Sequence, residues 1–312
     1  MSNKETVLVL GASGFLGKNL VSKLNETNNY EIYALNGKHD LDLTKDNLFN
    51  NYLSKNKIDY IINCAAFVGG IAYGYDFPAE LLMKNTIMAS NIYRSAHENN
   101  IKLLVNPISN CAYPKNQNLY EEEYFWDGAP HESVFEYGFA KKYFVALGNA
   151  YYKEYRFASA NIVLSNMYGP HDHFEEKKSH ALGALIKKIY DAKLNDSKYV
   201  DIWGTGKPIR EWLYVEDGSD ALVKSLKLSD NNYFFNIGVN KGISIYEMAK
   251  TIAKIIDWNG EFTFDTSKPD GAEEKRVLGK FTEQNLNWSP QISLENGIST
   301  TVEWYENNIL KL

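Results

Sequence analysis

Five short apolar runs recur through the first part of the chain: Val7-Leu8-Val9-Leu10, Glu31-Ile32-Tyr33-Ala34-Leu35, Asp59-Tyr60-Ile61-Ile62, Lys102-Leu103-Leu104-Val105 and Asn161-Ile162-Val163-Leu164. Segments of helical length separate them. Runs this short, β-branched and nearly continuous suit strands covered on both faces, as a parallel sheet requires. The spacing predicts an α/β fold, a Rossmann-type doubly wound parallel sheet. After Pro170 the pattern changes. Lys177-Lys178 and residues 194–198 read as exposed loops, and Tyr199–Trp203 and residues 211–215 as further short strands. Ser244-Ile245-Tyr246-Glu247 is a capping box ahead of an apolar-periodic helix, and another helix is expected after Ser293. A smaller lobe is therefore expected beside the sheet.

The chain has 312 residues, with 33 Lys plus Arg against 39 Asp plus Glu, and so lacks the basic footprint of a nucleic-acid binder. Its two cysteines, Cys64 and Cys111, are too few for a disulfide scaffold, and residues 1–6 form no apolar stretch of signal-peptide type. A cytoplasmic location is expected, with no membrane partner, since no run of about 18 apolar residues is present. No metal site is expected. An anionic ligand must be held by local groups.

One such group is Gly11-Ala12-Ser13-Gly14-Phe15-Leu16-Gly17, which follows the first run and opens a helix whose apolar face is Leu16, Leu20, Val21 and Leu24. Glycines in this context permit a tight turn, close approach of backbone to a pyrophosphate, and close helix–strand packing. Residues 1–165 are accordingly expected to form a dinucleotide-binding domain to which 211–240 return. Residues 166–210 and 241–312 would form an α/β substrate-binding lobe. At the end of the second run stands Leu35-Asn36-Gly37-Lys38, with no acid before Asp40 to bond a ribose 2′-hydroxyl. Lys38 and the Ser13 hydroxyl suit a 2′-phosphate, which favours NADPH; the plainer reading of Lys38 is a solvated loop lysine.

Tyr137-Gly138-Phe139-Ala140-Lys141 places a phenol and an ammonium four residues apart on one face of an expected helix, Phe135–Tyr155. Lys141 beside Tyr137, with a positive nicotinamide, would bring the phenol's pKa towards neutrality, as carbonyl reduction needs. Ser109, just after a strand, would hydrogen-bond the same oxygen.

The glycine turn, Ser109 and Tyr137-x-x-x-Lys141 match the extended short-chain dehydrogenase/reductases. Further segments narrow this: Ala65-Ala66-Phe67-Val68-Gly69-Gly70-Ile71, Ser109-Asn110-Cys111-Ala112-Tyr113-Pro114-Lys115, Asn166-Met167-Tyr168-Gly169-Pro170-His171-Asp172, Ser179-His180, Trp203-Gly204-Thr205-Gly206 with Arg210-Glu211, and Ser267-Lys268-Pro269-Asp270-Gly271. Over nearly its whole length the chain resembles the GDP-L-fucose synthase family, the 3,5-epimerase-4-reductases of GDP-4-keto-6-deoxy-mannose. The resemblance implies an NADPH-dependent oxidoreductase acting on a GDP-linked 4-keto sugar. It places Cys111 and His180 as the pair that exchanges the C3 and C5 protons, and Ser109 and Tyr137 at the carbonyl oxygen. It also sets Asn36, Asp42, Leu43, Ala65, Ala66 and Asn166 beside the dinucleotide, Lys187, Arg210, Lys275 and Arg276 near the diphosphate, and Trp203 near the guanine. A thiol and an imidazole both titrate near neutrality and suit alternating base and acid roles. The alternatives are a small buried Cys111 and a His180 that caps or packs a helix. A homodimer through the Tyr137 helix and the one near residues 88–97 is likewise implied by resemblance alone.

The chain departs from the family around the sugar. Pro107-Ile108-Ser109-Asn110-Cys111 replaces Leu-Gly-Ser-Ser-Cys, Ile71-Ala72-Tyr73-Gly74-Tyr75-Asp76 gains two tyrosines, Ser133-Val134-Phe135-Glu136 replaces Thr-Asn-Glu-Pro, and Leu164-Ser165 replaces Pro-Thr. These changes point to an altered sugar, such as a GDP-4-keto-heptose, or to C4 reduction alone with epimerisation done by a separate enzyme. Competing readings are an NAD-retaining 4-epimerase or 4,6-dehydratase, disfavoured by Asn110-Cys111 where dehydratases carry acids, and a dinucleotide sensor, disfavoured by the intact Ser109, Tyr137 and Lys141.

Overall fold

The computed structural model describes residues 4–68, 71–175, 179–268 and 270–311. Gly69, Gly70, Lys177, Lys178 and Pro269, named above, lie outside the described residues. In chain order the first half comprises β1 (Glu5–Leu10), α1 (Phe15–Thr27), β2 (Tyr30–Leu35), α2 (Leu48–Leu53), β3 (Tyr60–Asn63), α3 (Ile71–Asp76), α4 (Pro78–Glu98), β4 (Leu103–Ser109), β5 (Leu119–Tyr120) and α5 (Phe135–Tyr155). There follow β6 (Ser159–Leu164), β7 (Asn166–Tyr168), α6 (Ala181–Leu194), β8 (Tyr199–Trp203), β9 (Ile209–Tyr214), α7 (Val215–Ser225), β10 (Asn232–Ile237), β11 (Gly242–Ser244), α8 (Ile245–Ile256), β12 (Glu261–Asp265), β13 (Glu274–Val277), α9 (Lys280–Asn285) and α10 (Leu294–Tyr305).

The main sheet has the order β10-β6-β4-β3-β1-β2 and is parallel throughout. The five runs of the sequence are its strands β1, β2, β3, β4 and β6. Val7, Leu8 and Val9 are fully buried because helices cover both faces of the sheet. Chain order reverses on either side of β1, which opens a crevice at the carboxyl ends of β1 and β3, the place where such sheets take ligands. Pro107 stands inside β4, where a proline removes a ladder donor. It is tolerated because β3 pairs with β4 only as far as Val105, so one side of the strand carries no ladder at residue 107.

A buried polar row crosses this sheet. Asn63 Nδ2 donates to Asn106 Oδ1 (3.3 Å), Asn106 Nδ2 donates to Tyr93 Oη (3.1 Å) and Asn161 Oδ1 (3.2 Å), and Ser159 Oγ donates to Asn232 Oδ1 (2.8 Å). Each buried group finds a partner, so the row fixes strand register rather than weakening the core.

A second sheet, β11-β9-β13-β5 with β7 beside β9, stands next to the first, and β12 pairs with β8. β9 lies in this second sheet, whereas α7 packs on α1 and β10 closes the edge of the main sheet. A separate apolar core, including Ile186, Ile189, Trp212, Met248 and Ile252, fills the lobe between α6, α8 and α10. Residue 194, expected in a loop, is instead the last residue of α6. No helix among the described residues is long and apolar enough to cross a membrane.

The capping box at α8 forms as expected: Ser244 Oγ accepts the Glu247 N–H (3.1 Å), and the Glu247 carboxylate accepts the Ser244 N–H (3.3 Å). Ser244→Ala should cost about 1 kcal/mol, read as a lowered urea midpoint at unchanged slope.

Candidate active site

Gly11 adopts φ +72°, and a Cβ there would lie 2.8 Å from the backbone of Ala65. The turn after β1 is thereby packed against the turn after β3, which brings Ala65 to the crevice. At Gly17 a Cβ would sit 2.1 Å from the Gly11 carbonyl oxygen, so α1 can approach β1 only without a side chain. Gly14 differs. Its Cβ would meet nothing nearer than the Gly11 oxygen at 3.4 Å, and it heads α1 with no side-chain cap. The Gly14 N–H donates to the Gly11 carbonyl (3.1 Å), so a pyrophosphate approaching over the bare Gly14 would engage the N–H groups of Phe15 and Leu16, which begin the helix. Leu35, Leu41 and Leu43 line an apolar recess beside Gly11 and Gly37.

At the far end of this recess, Ser13 Oγ donates to the Asn36 carbonyl (3.0 Å), and the Asn36 N–H donates to Asp40 (2.7 Å). Ser13 thus tethers the loop that carries Lys38, whose side chain is exposed. Asp42 accepts the Thr44 hydroxyl (2.6 Å) and N–H (3.0 Å), and these bonds hold its carboxyl below the usual range. It shapes the turn and presents Leu43.

Tyr137 and Lys141 occupy the first two turns of α5. Gly138 between them is required by packing: a Cβ would lie 2.5 Å from the Cys111 carbonyl oxygen. The helix start therefore lies directly on the turn at residues 109–112, and Cys111 comes within electrostatic reach of Tyr137, Tyr120 and Lys275. Ser109 Oγ accepts the Cys111 N–H (3.2 Å), which leaves the hydroxyl proton free to donate. Lys141 is only 6% exposed. Its Nζ donates to the Pro107 carbonyl (3.1 Å) and lies 5.6 Å from the centre of the Tyr137 ring.

The protonation pattern of the protein alone follows burial. Burial, with a smaller contribution from Cys111, pushes the Tyr137 phenol above its ordinary value, while burial lowers the Lys141 amine to about 8. The lysine alone does not outweigh desolvation. Tyr137 is a neutral phenol beside an ammonium, and a phenolate needs a further positive charge next to it.

His180 immediately precedes α6 but does not cap it with its side chain. The residue is exposed, yet its imidazole is crowded enough that burial lowers its pKa. Asn166 is held on both sides: Oδ1 accepts Asn110 Nδ2 (3.2 Å) and Nδ2 donates to the Glu211 carbonyl (3.1 Å).

In the second sheet Lys275 pairs in register with Arg210, so the two share a face, and burial lowers the pKa of each. Arg276, the next residue on the strand, faces the other way and ion-pairs with Glu274. The structure thus separates two cations that the sequence groups together. Lys187 pairs with Asp191, while its neighbour Lys188 lies 5.4 Å from the Trp203 ring centre, and Lys268 5.5 Å. Trp203 is exposed. Tyr120 was not singled out from sequence, and Asn110 and Lys268 were noted only within longer segments, with no role of their own at the site. Only tertiary packing brings them here, although Asn110 stood out as a departure from the family pattern.

The sequence profile of the NAD dependent epimerase/dehydratase family matches residues 7–238. The chain belongs to that family. It is 35% identical over 306 residues to a GDP-L-fucose synthase of Sinorhizobium fredii, covering 97% of this chain and 96% of that one. Among solved structures it is similar to a GDP-L-fucose synthetase of Naegleria fowleri bound to NADP (TM-score 0.89, 26% identity, 99% and 96% covered). It is also similar to a GDP-mannoheptose C4 reductase of Campylobacter jejuni with NADP bound (TM-score 0.85, 25% identity, 98% and 99% covered). Among the family's members it stands with these GDP-sugar enzymes.

The contrast between the glycines yields a test. Gly14→Ala should fold with a stability loss under about 1 kcal/mol but bind NADPH at least roughly tenfold more weakly, whereas Gly17→Ala should not fold. Fluorescence titration and thermal unfolding distinguish the two.

Proposed function

We propose that this protein is an NADPH-dependent C4-ketoreductase of a GDP-linked 4-keto sugar, with Cys111 and His180 adding 3,5-epimerase capability. The observation that carries the reading is the packing of the Gly138 turn on Cys111, which gathers Ser109, Cys111 and Tyr137 around one point, with Lys275 and Arg210 beside it.

The turn at Gly11 to Gly17, with Ala65, Ala66 and Asn166, holds the dinucleotide, and Ser13, Asn36 and Lys38 lie at its 2′-phosphate end. When bound, NADPH supplies the hydride for the C4 carbonyl. The Ser109 hydroxyl donates a hydrogen bond to the carbonyl oxygen and keeps its proton, and the neutral Tyr137 phenol gives the one proton the oxygen takes up as hydride reaches C4. Lys141, still mostly charged at pH 7, opposes the negative charge left on Tyr137. Before reduction, Cys111 and His180 act as the base and acid for the acidified C3 and C5 protons, with Ser109 and Tyr137 stabilising the enolate oxygen. Arg210 and Lys275 grip the diphosphate, and Trp203, flanked by Lys188 and Lys268, lies at the nucleoside end.

The likeness to a GDP-mannoheptose C4 reductase supports a second reading, in which the sugar is a heptose and this chain performs only the reduction. Either activity would belong to cytoplasmic GDP-sugar synthesis for a surface polysaccharide. A homodimer through α4 and α5 fits the exposed Met83, Ile87 and Phe139 on those helices.

Tyr137→Phe should reduce NADPH consumption by roughly 10²–10⁴-fold. Cys111→Ser should spare reduction of an already epimerised ketone while stopping solvent deuterium uptake at C3 and C5, followed by NMR. No deuterium uptake by the wild type would leave reduction as the sole activity.

A further inference from the structure

Glu211 has no part in this chemistry, yet it is 1% exposed and sits between Arg210 and Trp212 on β9. Because Lys275 shares a face with Arg210, Glu211 points to the opposite face of the sheet. There its carboxylate meets main-chain donors from two separate segments. Oε1 accepts the N–H groups of Val239 and Asn240 (3.2 Å for the latter), just beyond the end of β10 in the main sheet. Oε2 accepts the Val277 N–H (2.5 Å) at the end of β13, the strand that carries Lys275. The fit is tight: a Cβ on Gly238 would lie 2.6 Å from Glu211 Oε1 and 2.3 Å from the Val277 carbonyl oxygen. Asn240 Oδ1 reinforces the junction by accepting the Gly279 N–H (3.1 Å). Burial raises the carboxyl to about 7, while the three amides and Arg276 favour its ionised form.

We propose that Glu211 is a positioning residue for nucleotide recognition: by joining the end of β10 to β13 it holds Lys275 in register with Arg210. This rests on the reading that those two cations grip the diphosphate. A carboxylate is required because every partner is a donor. A glutamine has one acceptor oxygen, so its amide would face an N–H of one strand and release it.

The test measures GDP binding by calorimetry and NADPH binding by fluorescence in wild type, Glu211→Gln and Arg210→Ala, together with steady-state reduction. The Glu211→Gln protein should bind GDP about tenfold or more weakly, raise KM for the keto sugar in parallel, change kcat less than about threefold, and bind NADPH within about twofold of wild type. If Arg210→Ala leaves GDP affinity unchanged, the diphosphate reading itself fails. If Arg210→Ala weakens GDP binding but a folded Glu211→Gln does not, the clamp is overturned and the diphosphate reading stands. Should Glu211→Gln not fold, Glu211→Asp, which is too short to reach both strands, must show the same selective loss. Undiminished GDP affinity in Glu211→Asp, or failure of both variants to fold, assigns Glu211 to stability alone.

Discussion

The arrangement depends on one buried ammonium. Lys141 Nζ is removed from water and bonded to the carbonyl of Pro107, and that bond crosses from α5 to β4. An isolated buried charge is costly, so the lysine neutralises readily, and its pKa falls to about 8. The same bond sets the rotation of α5 against the sheet. One turn earlier on the helix, Tyr137 is delivered beside Cys111, and the missing side chain at Gly138 lets the two backbones meet.

Around this contact the fold separates two tasks. The main sheet ends in a crevice whose glycines leave amide donors uncovered, a surface suited to an anion with no need of nearby cations. The second sheet supplies cations instead, with Lys275 and Arg210 paired on one face. The two sheets are stitched together by short polar links: Asn110 to Asn166, Asn166 to the Glu211 carbonyl, and the Glu211 carboxylate to the ends of β10 and β13. A chain of net charge −6 can present such a face because the attraction is local rather than global.

Much of this was legible in the sequence, for physical reasons that vary by element. Strands buried on both faces leave continuous apolar runs, so β1, β3, β4 and β6 could be read directly, and the capping box of α8 is a purely local signal. The extent of α5 could be read from the same helical pattern. What the sequence did not carry was the outcome of long-range competition. The Tyr137 phenol is expected to be lowered by Lys141 and a positive nicotinamide acting together; in the protein alone desolvation raises it, with Lys141 5.6 Å from the ring centre. Lys275 and Arg276 read as a pair, yet strand alternation sends them to opposite faces. Tyr120 stacks on Tyr113 near Cys111 and stands on β5, which pairs with β13, contacts that no local pattern announces.

The most direct test of the central claim is the fate of a labelled hydride. With NADPH deuterated at both C4 positions and a GDP-4-keto sugar, deuterium should appear at C4 of the product, with one cofactor oxidised per sugar reduced. Product without label at C4, or turnover without net oxidation of NADPH, would contradict it.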